Sequence, residues 1–151
     1  MSDPASPEEV TELVLLILDV YGTLHDNGAR ITAPFGQTPA RWQVMGQLAQ
    51  EELTVSQIAR RIGNTRQAVQ RLANEMASAG IVEFFGNPDH KRSEKLRLTD
   101  EGRSIFRRIN IRQKQWATSL GSRISSRRLR QTIRGLEQLA KSLEEENPDA
   151  S

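Results

Sequence analysis

Apolar residues recur along this chain with two different periods. Val10, Leu13, Val14, Ile17, Leu18, Tyr21 and Leu24 fall at i, i+3, i+4 and i+7, the stripe of an amphipathic helix. Its start is written in Ser6-Pro7-Glu8-Glu9: a serine N-cap, a proline in the first helical position, and Glu9 as the reciprocal capping-box partner. The stripe predicts an end between residues 28 and 34. Thr38-Pro39 repeats the cap-and-proline start, and Trp42, Val44, Met45 and Leu48 give the next helix a buried face. Thr54-Val55-Ser56-Gln57 is another capping box, opening a short helix with Ile58, Ala59 and Ile62 inward and Gly63 as its stop. Thr65 caps a helix striped by Val69, Leu72, Ala73 and Met76, which Gly80 ends.

The period then shortens. Residues 81–85 and 95–99 are β-prone runs around Gly86-Asn87-Pro88-Asp89, predicting a hairpin with a long polar tip. Thr99 caps a further helix containing Ile105, Ile109, Trp116 and Leu120, and the serines and glycine at 121–126 predict a bend. The last helix spaces Leu129, Ile133, Leu136, Ala140 and Leu143 by four, three, four and three, a narrow seam suited to helix–helix pairing. The predicted fold class is mostly α with a small β-hairpin wing (α+β). Its expected organisation is an N-terminal helix and linker over 1–37, a compact lobe over 38–102, C-terminal helices over 103–146 and a disordered tail over 147–151. The terminal helices lie outside the lobe, and their apolar faces need a cover. A symmetric homodimer pairing the ends of two copies supplies one; packing of the two ends on each other within one chain is the alternative.

Composition narrows the chemistry. A length of 151 residues fits one domain. With no cysteine, disulfides, thiolate metal sites and thiol-oxidation switches are excluded. His25 and His90 alone would leave a zinc ion to carboxylates, so no metal or other cofactor is expected. The longest apolar run, residues 13–18, falls short of the about 20 residues that span a bilayer. Acids rather than bases precede that run, unlike a secretory leader, so a cytoplasmic protein with no membrane partner is expected.

The net charge of +2 hides a partition. Residues 1–40 carry six acids and one base, 41–140 nineteen bases and nine acids, and 141–151 one base and four acids. Seventeen of the 21 bases are arginine, whose guanidinium fork suits phosphate and base edges. The stretch from 103 to 134 holds ten bases and no acid, and on charge alone it marks where a polyanion would lie.

The central motif supplies geometry. Within residues 54–79, Ala59, Gly63 and Val69 stand at the offsets a helix-turn-helix needs. A small residue admits the second helix, glycine takes the turn, and an apolar residue locks the crossing. With the hairpin downstream, this predicts a winged helix-turn-helix. The second helix has a polar face of Arg66, Gln67, Gln70, Arg71 and Asn74, and no acid occurs between Thr54 and Asn74. In a major groove, arginine bonds guanine O6/N7 and glutamine bonds adenine N6/N7. Thr65 and the free N–H groups at the helix start suit a phosphate oxygen. Double-stranded DNA is the expected partner, with Thr65, Arg66, Gln67, Ala68, Gln70 and Arg71 as contacts. At the wing, Lys91 or Arg92 would reach the minor groove, with Asp89 orienting a neighbouring base or capping the turn; His90 reads as an exposed loop residue.

Residues 38–103 resemble the MarR family of winged-helix transcriptional regulators. The matching motifs are Thr38-Pro39-Ala40, Thr54-x-Ser56-x-Ile58-Ala59, and Arg66-Gln67-Ala68-Val69-Gln70-Arg71-Leu72. Ala79-Gly80-Ile81-Val82-Glu83, Asn87-Pro88-Asp89 and Leu96-x-Leu98-Thr99-x-x-Gly102 complete the set. The resemblance implies a homodimer with interlocked terminal helices that binds a pseudo-palindromic operator as a ligand-relieved repressor. Recognition helices would then enter successive major grooves, about 34 Å apart. A small-molecule effector would sit between the dimer helices and the DNA-binding lobe, with Tyr21, His25, Trp42 and Trp116 as candidate lining, although each reads first as plain core or interface. Two departures stand out: Phe84-Phe85 replace residues often basic in the family, and the wing's Asp-x-Arg becomes Asp89-x-Lys91 followed by Arg92. A winged helix that binds a protein partner and no longer reads DNA is the alternative.

Residues 15–24, Leu-Leu-Ile-Leu-Asp-Val-Tyr-Gly-Thr-Leu, also resemble the nucleophile motif of haloacid-dehalogenase-type hydrolases, with Asp19 as the attacking carboxylate. The helical period runs through that motif unbroken, and the downstream chain leaves no parallel sheet to carry it. Asp19 is therefore expected to be a polar position on the first helix, and the chain is not expected to be an enzyme.

Overall fold

In the computed structural model, which describes residues 3–86 and 94–146, the chain forms six α-helices, a 3-10 turn and three short strands. They run α1 (Pro7–Thr32), the 3-10 turn (Ala33–Phe35), α2 (Pro39–Leu48), β1 (Leu53–Thr54), α3 (Val55–Ile62), α4 (Arg66–Ser78), β2 (Val82–Phe85), β3 (Lys95–Leu98), α5 (Asp100–Gly121) and α6 (Ser126–Glu146). Hydroxyl caps fix where the helices begin. Ser6 Oγ accepts from the Glu9 N–H at 3.2 Å while the Glu9 carboxylate accepts from the Ser6 N–H at 2.7 Å. Thr54 and Gln57 form the same reciprocal pair at α3. Thr38, Thr65 and Thr99 each cap with one bond, satisfying N–H groups that the helix itself leaves unpaired.

The sheet is antiparallel in the order β1-β3-β2. Hydrophobic patterning predicts β2 and β3 but not β1, which is only two residues long. Too short to show alternation, β1 lies across β3 with Leu53 opposite Leu96, and its Thr54 doubles as the α3 cap. Leu96 and Leu98 on β3 and Val82 on β2 point into the core. On the other face Glu83 opposes Arg97 with an ion pair of 2.7 Å, and the Arg97 guanidinium lies 4.6 Å over the Phe85 ring.

One core joins these elements. Val44, Met45 and Leu48 from α2, Ile58 and Ala59 from α3, and Val69, Ala73 and Met76 from α4 meet the sheet and Ile105 and Ile109 of α5. Of the residues predicted inward, Trp42, Ile62 and Leu72 are half-buried rather than buried, because they sit at the edges of their stripes. Ile31 and Thr32 bring only the last turn of α1 into the lobe.

Beyond that turn the apolar faces of the terminal helices are largely uncovered among the described residues. Val10, Leu13, Val14, Leu18, Tyr21 and Leu24 of α1 are exposed, as are Leu129, Ile133, Leu136 and Leu143 of α6. No residue of α6 is buried. The two ends of one chain therefore do not pack on each other, which sets aside the intrachain alternative.

The tightest approach in the lobe is at Gly102. A Cβ there would collide with the Ile81 carbonyl oxygen and come within 3.3 Å of Leu98 Cδ2. Thr99 ties the same place together: its hydroxyl donates to the Gly80 and Ile81 carbonyls and its Oγ1 accepts from the Gly102 N–H. Gly102→Ala is expected to cost about 1–3 kcal/mol through backbone displacement. Gly135→Ala, in mid-α6 with open space about its Cβ position, should instead gain up to about 1 kcal/mol from helix propensity. Denaturant melts of both variants check the contrast.

Candidate nucleic-acid interface

The helix-turn-helix is built from α3, Gly63 and α4. Gly63 has φ 65°, the left-handed conformation that lets the chain leave α3 sharply, and its N–H reaches the Ala59 carbonyl. Asn64 fills the turn, its side-chain oxygen accepting from the Thr65 N–H at 2.8 Å. Ala59 and Val69 are buried at the crossing, at 5% and 0% exposure.

This crossing presents one face of α4. Arg66, Gln67, Gln70, Arg71 and Asn74 line an open concavity of 440 Å3. Arg66, Gln67, Arg71 and Asn74 are exposed, and Gln70 is half-buried with its Nε2 donating to Asn74 Oδ1 at 3.1 Å. Thr65 caps the helix through the Ala68 N–H at 3.1 Å, and the Ala68 methyl is half-buried. Four arginine and glutamine side chains thus share one surface, held by a helix whose opposite side is fully packed. Asp89, Lys91 and Arg92, expected at the wing, and His90 lie outside the described residues.

The candidate effector residues do not converge within the chain. Tyr21 and His25 are exposed neighbours on α1, ring centroids 6.2 Å apart. Trp42 lies on α2, where its indole N–H donates to Asn110 Oδ1 of α5 at 3.1 Å. Trp116 faces α1 in a separate cleft with Asn27, Arg30, Ile31, Arg112 and Gln115. Asn110 and Trp116 are six residues apart on α5, about 9 Å of helix, and Trp42 and Trp116 line different clefts. The cleft around Trp42 is lined by Gln43, Gln47, Arg61, Phe106 and Asn110, among others. Phe106 and Asn110 were not legible as site residues. The one available signal was a polar Asn110 directly beside the buried Ile109.

Asp19 sits mid-helix on α1, exposed, as the unbroken helical period leads one to expect. The bases of 103–134 are spread along two helices rather than gathered on one short surface. α5 starts against the sheet and runs 22 residues, about 33 Å, so Arg123, Arg127, Arg128, Arg130 and Arg134 stand at its far end or on α6.

A helix-turn-helix backed by a three-stranded sheet, between two long terminal helices, defines a winged helix of the transcription-regulator type. Comparison with known proteins agrees. The family model described as MarR family matches residues 35–93. An uncharacterized protein of Mycobacterium tuberculosis is 36% identical over 141 residues, spanning 93% of this chain and 99% of that protein. The crystal structure of a MarR family transcription regulator superposes with a TM-score of 0.83 at 20% identity, over 94% of this chain and 95% of that one. Staphylococcus aureus MarR, solved in complex with salicylate and kanamycin, gives a TM-score of 0.79 at 16% identity, over 93% and 95% of the two chains. The chain belongs to the MarR family. Its members are transcription regulators rather than enzymes, so Asp19 is no nucleophile. Among the described residues no helix is long and apolar enough to cross a membrane.

Proposed function

We propose that this regulator binds double-stranded DNA as a homodimer, with α4 of each copy in a major groove. The observation that carries the reading is the exposed face of Arg66, Gln67, Gln70, Arg71 and Asn74 on a helix rigidly backed by the core. Arginine and glutamine there match guanine and adenine edges, and Thr65 at the helix start suits a phosphate. The wing would add a minor-groove contact through Lys91 or Arg92. Homodimerisation is supported by the open apolar faces of α1 and α6, which would pair across a two-fold axis and set the spacing of the two α4 helices. A pseudo-palindromic operator and repression follow from the family resemblance.

An effector is the accompanying reading. The open cleft between α2 and α5, with Trp42 and Phe106 as aromatic walls and Gln43, Gln47, Asn110 and Arg61 as polar groups, is where such a molecule would lie. It lies where the DNA-binding lobe meets α5, and the S. aureus relative was solved with salicylate and kanamycin.

Fluorescence anisotropy on a duplex that the purified protein selects from random sequence tests the core reading. Binding should fall steeply with salt, and Arg66→Ala or Gln67→Ala should each cost about 1–3 kcal/mol. Unchanged affinity in both variants would favour a winged helix that binds a protein partner instead. Leu136→Lys, at the centre of the α6 seam, is expected to shift the protein to monomer in sedimentation equilibrium and to abolish tight operator binding; a dimer indifferent to this change would place the interface elsewhere. Salicylate added to the protein–DNA complex should release the native protein and spare a Trp42→Ala variant. Equal release from both would put the site outside this cleft.

A further inference from the structure

Glu75 is the one acid on α4, and it lies on the flank of the recognition face beside Arg71. Its two carboxylate oxygens face different guanidiniums. Oε2 accepts from Nη2 of Arg41, on α2, at 3.4 Å. Oε1 lies 4.0 Å from Nε of Arg71, one turn earlier on α4. The two arginines are unlike in setting: the Arg41 side chain is 21% exposed and that of Arg71 is 83% exposed.

A lone carboxylate at this place acts against DNA binding in two ways. It repels phosphate, and it competes with guanine for the Arg71 fork. Which arginine holds it decides whether Arg71 is available. The pair within α4 is the poorer one: arginine preceding glutamate by four residues is the less favourable orientation on a helix, and an ion pair so exposed is weak. Arg41 is better placed, since its partly buried side chain loses less to solvent screening and links α2 to α4.

We propose that Arg41 is a positioning residue for DNA reading: by engaging Glu75 it neutralises the only acid on the recognition helix and leaves Arg71 free for a base. The inference rests on α4 being the DNA-reading helix. It assigns a role to a side chain on α2, outside the polar face of α4. Arg41 also precedes Trp42, whose indole is bonded to Asn110 of α5. The start of α2 thus touches the recognition helix through one residue and the long α5 helix through the next.

The test is a double-mutant cycle on the selected duplex. Arg41→Gln should weaken binding about three- to tenfold, the scale of a lost ion pair that partly costs one base contact. Glu75→Gln in the same chain should restore it, because no carboxylate is left to capture Arg71. If Arg41 instead touched a phosphate, affinity would fall in both backgrounds and the log–log salt slope would drop by about one; loss without rescue overturns the proposal. A DNA-free arm reads the same device. The Arg71 Nε–Hε signal in NMR spectra should shift in Arg41→Gln and return in the double variant, and a signal indifferent to Arg41 also overturns it. If the native protein bound no duplex at all, the reading of α4 and this proposal would both fall, whereas failed rescue with native binding intact overturns the proposal alone.

Discussion

The junction of Thr99, Gly102 and Ile81 is the constraint on which the rest of this molecule depends. Three elements meet there with no room between them: the end of β3, the first turn of α5 and the approach to β2. The Thr99 hydroxyl serves two carbonyls and an amide at once. Gly102 lets the α5 backbone rest on the Ile81 backbone just before β2. α5 supplies Ile105 and Ile109 to the core and then continues past the lobe, so the direction it takes at this junction is the direction of the whole arm. α4 is bound to the same place from the other side, since the Ile81 N–H bonds the Met76 carbonyl just before β2 begins. The recognition helix and the arm are thus referred to one rigid point.

Much of this was legible in the order of residues, and the reasons are local. Each capped helix announces itself through a serine or threonine whose hydroxyl has an obvious amide to accept from. Glycine at 63 and 80 marks stops because only glycine readily takes the positive φ found there. The polar face of α4 could be read because its apolar stripe was already assigned, leaving Arg66, Gln67, Gln70, Arg71 and Asn74 on the remaining side. What escaped was long-range. β1 is two residues that become a strand only because β3 runs beside them. The cleft around Trp42 needs α2 and α5 brought together across a separation of 68 residues, for which periodicity holds no signal. The division of Glu75 between Arg41 and Arg71 likewise joins residues 34 apart in sequence.

Charge shows the same limit from another side. Counting bases along the chain picks out the middle as basic but treats α4 and the far end of α5 alike. A helix rising about 1.5 Å per residue carries bases away from a surface as readily as it gathers them. The face of α4 stands out because several hydrogen-bonding side chains share one side of a short helix, and because its single acid is held by a base from another element.

The bare surface of α6 has a consequence for the protein's life in the cell. A helix of 21 residues with no buried residue is only marginally stable by itself in water. In the proposed homodimer its order, and the concealment of Leu129, Ile133, Leu136 and Leu143, would come from association. On that reading a newly made chain waiting for a partner would offer a leucine-rich end to proteases and holdase chaperones, while a paired chain would not. Turnover would then fall hardest on unpaired copies, and the amount of active regulator would respond to synthesis more steeply than in proportion.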